Sequence, residues 1–175
     1  MILYRHADPR FPVLWESAEQ PAARWHGPGE GPVQYLADTP DGAWAEFLRH
    51  EGIREEAELV NVRRALWAVE LPSGFTAATP ALPAHLLRGG IPTYVECRKE
   101  ARRLRDQGAG ALQAPSAALV AGGARGWRVA GGLRPAADRD GQIFAVFGPR
   151  PDFVGWIAAF AARPREELLT RVHHL

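Results

Sequence analysis

Three successive pieces of chain between residues 22 and 50 carry groups that could do chemistry together. Arg24 precedes a loop containing Gly27, Pro28, Gly29, Gly31 and Pro32, which cannot be helical. Val33 to Ala37 is a short apolar run that carries Tyr35, and Glu46 follows on a helix start. A guanidinium forks onto phosphate, an aromatic ring stacks on a flat group, and a carboxylate shielded from water stabilises a developing cation.

The elements that would position these groups are legible nearby. Thr39, Pro40 and Asp41 predict a helix start: Thr caps, Pro takes the first turn, and Asp favours the positive end. The helix should run from about Pro40 to about His50. On it Ala43, Glu46, Phe47 and His50 share one face, so Glu46 lies among apolar neighbours, an unusual place for a Glu. A local pairing of Glu46 with Arg49 or His50 is the plainer alternative.

Elsewhere Met1 to Arg5 reads as a short strand that Arg5 closes, and residues 7–22 as an irregular, Pro-containing excursion. Ala65 to Leu71 is a second strand, ended by Pro72, Ser73 and Gly74. Residues 75–90 are loop-rich. Pro92 opens a helix to about Gln107, where Gly108 stops it. Tyr94, Cys97, Ala101 and Leu104 give that helix an apolar stripe, with Cys97 as core filling. After Gly110 come short β-like pieces at 111–117, 118–121, 126–130 and 142–147. Phe153 to Ala162 and Arg165 to His174 read as terminal helices, placing helix across 151–175. The pattern is a compact, single α+β domain over 1–175 with mixed short strands. It does not alternate regularly enough for a doubly wound sheet.

The bulk numbers exclude several classes. A length of 175 residues fits one domain, and 46% hydrophobic with 23% charged residues is ordinary for a globular chain. The formal charge of +1 gives no case for direct nucleic-acid or anionic-membrane binding. Lys99 is the sole lysine, a skew towards Arg that suits forked anion contacts but that codon bias also produces. Cys97, the single cysteine, rules out an intrachain disulfide and multi-Cys zinc sites, and fits a reducing cytoplasm. The apolar start breaks at Arg5 and His6, so it is no signal peptide. Phe153 to Ala162 is about half the length of a membrane span.

No dinucleotide or P-loop glycine pattern, no metal-binding His spacing on a helix and no nucleophile elbow at Ser116 is present. A metal is not expected. Arg5, Arg24, Tyr35, Glu46 and Ser116 remain. Each has a plain alternative: Arg5 in a salt bridge, Arg24 stacked on Trp25, Tyr35 in the core, Ser116 in a turn.

Taken together, L-Y-R at 3–5, A-A-R-W at 22–25, V-Q-Y-L-A-D-T-P at 33–40, A-W-A-E at 43–46 and A-P-S-A at 114–117 resemble the RES domain, a family named for its Arg, Glu and Ser. The resemblance covers about residues 1–147. Ala23 and His26 depart from it, standing where the family usually has Gly and Asn. The resemblance implies a fold similar to ADP-ribosyltransferases of the diphtheria-toxin type, with NAD as substrate. It implies the toxin half of a type II toxin–antitoxin pair that depletes NAD by cleaving the nicotinamide–ribose bond, by hydrolysis or phosphorolysis. Transfer of ADP-ribose to a protein and an inactive RES-fold binding domain are the alternatives. The implied partner is an Xre-like helix-turn-helix antitoxin, and a homo-oligomer stays open. In that frame Glu46, Arg5 and Tyr35 are the catalytic candidates. Glu46 faces the ribose and its developing cation, Arg5 holds phosphate, and Tyr35 offers its ring to nicotinamide or its hydroxyl to ribose. Arg24, Ser116 and Trp25 are the binding candidates, on phosphate, on the ribose or Glu46, and as a cleft wall.

Overall fold

The computed structural model describes residues 1–14, 16–17 and 19–174. Helix α1 (Pro40–Glu51) shows why its sequence folds locally. The Thr39 hydroxyl accepts from the Gly42 N–H at 2.9 Å, and Pro40 fills the first turn, where no intrahelical donor is needed. Gly52 ends the helix at φ 69°, and the N–H groups of Gly52 and Ile53 close back on Arg49 and Leu48. Trp44, Phe47 and Leu48 of α1 enter a core with Leu59, Leu66, Leu119 and Leu168.

The strands are β1 (Ile2–Ala7), β2 (Val33–Ala37), β3 (Arg64–Glu70), β4 (Ala111–Pro115), β5 (Ala124–Val129), β6 (Leu133–Arg139), β7 (Gln142–Phe147) and β8 (Val154–Ala162). Six of them form one sheet in the order β4-β7-β2-β1-β3-β8, and β5-β6 is a separate ribbon. Every strand ladder is antiparallel. The remaining helices are α2 (Glu56–Leu59), α3 (Ala84–Arg88) and α4 (Tyr94–Asp106), with 3-10 turns at Ile91–Thr93 and Glu166–Arg171. Cys97, Ala101 and Leu104 of α4 pack with Trp25, Val33, Leu112 and Phe147, so the expected stripe is a core face.

One join in the sheet is different. β1 pairs with β3 from Ile2 opposite Glu70 to Ala7 opposite Ala65. Its ladder with β2 is the single register pair Tyr4 opposite Ala37. Beyond that pair the two strands part, and Arg5 crosses the gap to donate to Gln34 Oε1 on β2. The parting opens room in the middle of the sheet.

The C-terminal segment corrects the sequence reading. Residues 154–162, expected as helix, form β8, and the expected last helix is a 3-10 turn at Glu166–Arg171. Four alanines favour helix in isolation. The open edge of β3 supplies a row of backbone partners that no isolated helix can match, and β8 takes them from Glu70 opposite Val154 to Arg64 opposite Ala162. The pairing is irregular around Leu66, and Ala161 takes a positive φ of 50°. No described helix is long and apolar enough to cross a membrane.

Thr39→Ala removes the cap of the helix that carries Glu46. The expected cost is about 1 kcal/mol, or a fall of about 2–4 °C in the melting midpoint of a chain this size, with Thr39→Ser close to wild type. Circular-dichroism melts check this; an unshifted midpoint for Thr39→Ala would show that the cap does not hold α1.

Candidate active site

A cavity of about 460 Å³ lies where β1 and β2 part, a volume suited to a small-molecule ligand. Arg5 and His6 of β1, Tyr35 of β2, and Glu46 and Arg49 of α1 are among its lining residues. Arg24, Trp25, Tyr94 and Ala117 also border it, drawn from the segment before the Gly/Pro loop, the start of α4 and the turn after β4.

Glu46 is half-buried on the helix face that also presents Ala43 and His50 to the cavity. The Ser116 hydroxyl donates to Glu46 Oε1 at 3.2 Å. Ser116 Oγ itself accepts from the N–H groups of Ala118 and Leu119, both at 3.2 Å. Those two donors occupy the oxygen's acceptor side and leave its hydrogen for the carboxylate. Burial pushes the Glu46 pKa above the ordinary value, while Arg49, Ser116 and Arg24 oppose that push.

Arg49, one turn beyond Glu46, is buried. Its Nη1 donates to the carbonyls of Ala117 and, at 3.0 Å, His173; its Nη2 donates to Gly89 O at 3.1 Å. Arg24 reaches the same Gly89 carbonyl at 2.5 Å, with further bonds to Leu86 O at 3.3 Å and Thr93 Oγ1 at 3.2 Å. Its guanidinium also lies 4.6 Å from the Tyr94 ring centre. Gly89 has to be glycine, because a Cβ there would meet Thr93 Cγ2 at 2.4 Å and His85 O at 2.7 Å. The two arginines therefore clasp the α3–α4 connection to the cavity wall as well as lining the cavity.

Arg5 is differently placed. It donates to the neutral Gln34 side chain and makes no ion pair among the described residues. Burial lowers its pKa to about 10, still well above neutral pH. A half-buried guanidinium facing a cavity without an ion-pair partner has the chemistry to take an anion.

The Tyr35 hydroxyl accepts from Trp25 N at 3.0 Å and lies 2.9 Å from His26 Nδ1. Burial holds its pKa above the usual tyrosine range. The hydroxyl is thus occupied in fixing residues 25 and 26, and the ring is what Tyr35 offers to the cavity. Trp25, 1% exposed, forms part of the wall. His26 is fully buried, and its ring nitrogen is one of the two anchors on Tyr35.

The structure thus places Arg5, Arg24, Trp25, Tyr35 and Glu46 around one cavity and sets Ser116 against Glu46. Sequence reasoning missed Arg49, His6, Arg64 and Tyr94 as lining residues. For Arg49 a signal existed, its spacing of three residues from Glu46; for His6 and Arg64 the β1–β3 pairing that brings them together lies outside any local pattern. Among the described residues no group of three or more His, Cys, Asp or Glu side chains could hold a metal ion.

The class of fold is α+β, with an antiparallel sheet opened beside Arg5 and Glu46. The RES domain profile matches residues 2–152, and the chain belongs to the RES domain family. Four chains of solved structures match. One belongs to the crystal structure of the M. tuberculosis MbcT–MbcA toxin–antitoxin complex, at 15% identity and a TM-score of 0.59, over 89% of this chain and 84% of that one. At that identity the likeness shows a shared fold. No curated protein matches in sequence.

The electrostatics of Glu46 lead to a stability test. Its raised pKa means that the folded state favours the protonated form more than the unfolded chain does. That contribution is present at low pH and is lost as pH rises through the folded pKa. Glu46→Gln, neutral throughout, should melt above wild type at pH 8, and its lead should shrink as pH falls towards 4.5, the ordinary glutamate value. Melts across that range check this; a constant or absent lead would mean that the carboxylate is not desolvated.

Proposed function

We propose that this RES-domain protein is the toxin of a type II toxin–antitoxin pair and acts by cleaving the nicotinamide–ribose bond of NAD. The observation that carries the reading is the pairing, in one cavity, of a partly desolvated carboxylate oriented by Ser116 with a half-buried Arg5 that has no ion pair among the described residues. Family membership and the fold shared with a toxin–antitoxin complex support it. An Xre-like antitoxin that covers the cavity and a cytoplasmic setting belong to the same reading.

Nicotinamide departs as a neutral molecule when the C1′–N bond breaks and its electron pair returns to the pyridine nitrogen. A strong general acid is not required. Positive charge builds on the ribose as an oxocarbenium-like centre. Glu46 in its ionised form, which Arg49 and Ser116 favour against its desolvation, stabilises that charge. The aromatic walls, Trp25 and the Tyr35 ring, bound the space for the flat leaving group. Arg5 takes a phosphate of the diphosphate. Water, or phosphate, adds to C1′ from solution; with water, one proton is released for each bond cleaved.

Purified protein incubated with NAD should release free nicotinamide, with one proton per turnover if water is the acceptor. Glu46→Gln should lower turnover by about 100-fold or more, since one preorganised charge contact to the transition state is lost. Nicotinamide quantified by chromatography checks this. Absence of release by a folded wild-type protein, or equal rates for wild type and Glu46→Gln, would defeat the reading.

A further inference from the structure

The charges around the cavity fall into two groups. Arg49 and Arg24 are the cations that act on Glu46. His6 instead feels Arg64, Arg5 and His50. Arg64 opens β3, and its neighbour Ala65 pairs with Ala7 of β1, so the side chain comes to the cavity beside His6.

Arg64 is the less committed guanidinium of this second group. Its Nη1 lies 3.9 Å from Asp8 Oδ2, a carboxylate already forked by Arg10 at 3.0 and 2.8 Å. Its Nη2 donates to His6 Nδ1 at 3.3 Å. Its Nε is buried and has no hydrogen-bond partner among the described residues. The guanidinium carbon sits 5.2 Å from the Phe47 ring centre, which fixes the plane of the fork. With Nδ1 accepting, the hydrogen of the neutral His6 ring is on Nε2. Burial and the neighbouring cations press the His6 pKa down to about 3, so the ring can donate but adds no charge. Fixed positive charge at this end therefore comes from Arg5 and Arg64.

We propose that Arg64 is a second anion anchor of the cavity and acts with Arg5 to hold the two phosphates of a dinucleotide substrate away from Glu46. The inference rests on the NAD reading above and extends it to a residue outside the six that the sequence singles out. A single guanidinium can satisfy one phosphate and a diphosphate carries two; Arg5 and Arg64 stand on adjacent strands of the sheet, Arg5 with no ion pair among the described residues and Arg64 with an unpartnered Nε and a carboxylate it shares with Arg10.

The test uses ADP-ribose and inorganic pyrophosphate as non-reacting probes in calorimetric titrations, alongside NAD kinetics. Arg64→Met keeps an apolar stem on Phe47 and removes the fork; Arg64→Lys keeps the charge alone. Arg64→Met should weaken ADP-ribose and pyrophosphate by about tenfold or more, raise KM for NAD by a similar factor and change kcat by less than about threefold, because Arg64 does not touch the reacting carbon. Arg64→Lys should fall between, and it carries the test if Arg64→Met does not fold. ADP-ribose binding equal to wild type in a folded Arg64 variant, with NAD cleavage intact, would overturn this inference and leave the reaction standing. A fall in kcat at constant KM would overturn it too, by showing that Arg64 only shapes the site. A wild-type protein that neither binds ADP-ribose nor releases nicotinamide would overturn both.

Discussion

In the proposed reaction a carboxylate has to carry charge where its surroundings disfavour charge, and the arrangement of the cavity bears on that constraint. Glu46 is desolvated on a helix face it shares with Ala43, Phe47 and His50. Three things oppose protonation: the Arg49 guanidinium, the Ser116 hydroxyl and, further off, Arg24. Ser116 can serve because two backbone N–H groups hold its oxygen and aim its hydrogen. Arg49 can serve because the Ala117, His173 and Gly89 carbonyls hold it. Each group that acts on Glu46 is thus itself fixed by backbone, which is what preorganisation means in structural terms.

The same economy makes the wall and the site one object. The Gly89 carbonyl accepts from both Arg24 and Arg49, so the connection between α3 and α4 is tied to the segment before the Gly/Pro loop and to α1 at once. The Tyr35 hydroxyl plays the matching part on the other wall, fixing Trp25 and His26. His26, where the resemblance leads one to look for Asn, supplies a ring nitrogen at hydrogen-bonding distance from that hydroxyl. The departure therefore falls on a buried support of Tyr35 and not on a group that lines the cavity.

Local signals made much of this legible. The Thr39-Pro40-Asp41 start placed α1 and hence Glu46, and the strand expected over 33–37 is β2. The expected α4 begins at Tyr94, after a 3-10 turn that takes up Pro92. What failed was set by partners distant in sequence. Residues 154–162 are alanine-rich enough to read as helix, and the free edge of β3 makes them a strand. β6 was hidden by Pro135, which a central strand would exclude but which a two-stranded ribbon tolerates on its open side. The short α3 lay within a stretch read as loop because Pro83 and the Gly89-Gly90 pair leave it five residues. Within the site, residue types on one element were readable; Arg64 beside His6 was not, because strand register is a property of two segments.

The parting of β1 from β2 gives the two charged groups their separate places. In the proposed reaction the substrate brings both an anionic diphosphate and an incipient cation, a few bonds apart. A carboxylate close to the first would repel it, and guanidiniums crowded on the second would oppose its formation. A sheet whose strands stayed paired beyond Tyr4 and Ala37 would bury Arg5 against β2 and leave no cavity between them. Opened there, β1 and β3 supply Arg5 and Arg64 while α1 supplies Glu46, so the anion and the cation meet opposite charges from different elements. The energetic cost is a half-buried Arg5 whose hydrogen-bond partner is a neutral amide, and in the proposed reaction the substrate's diphosphate would offset it.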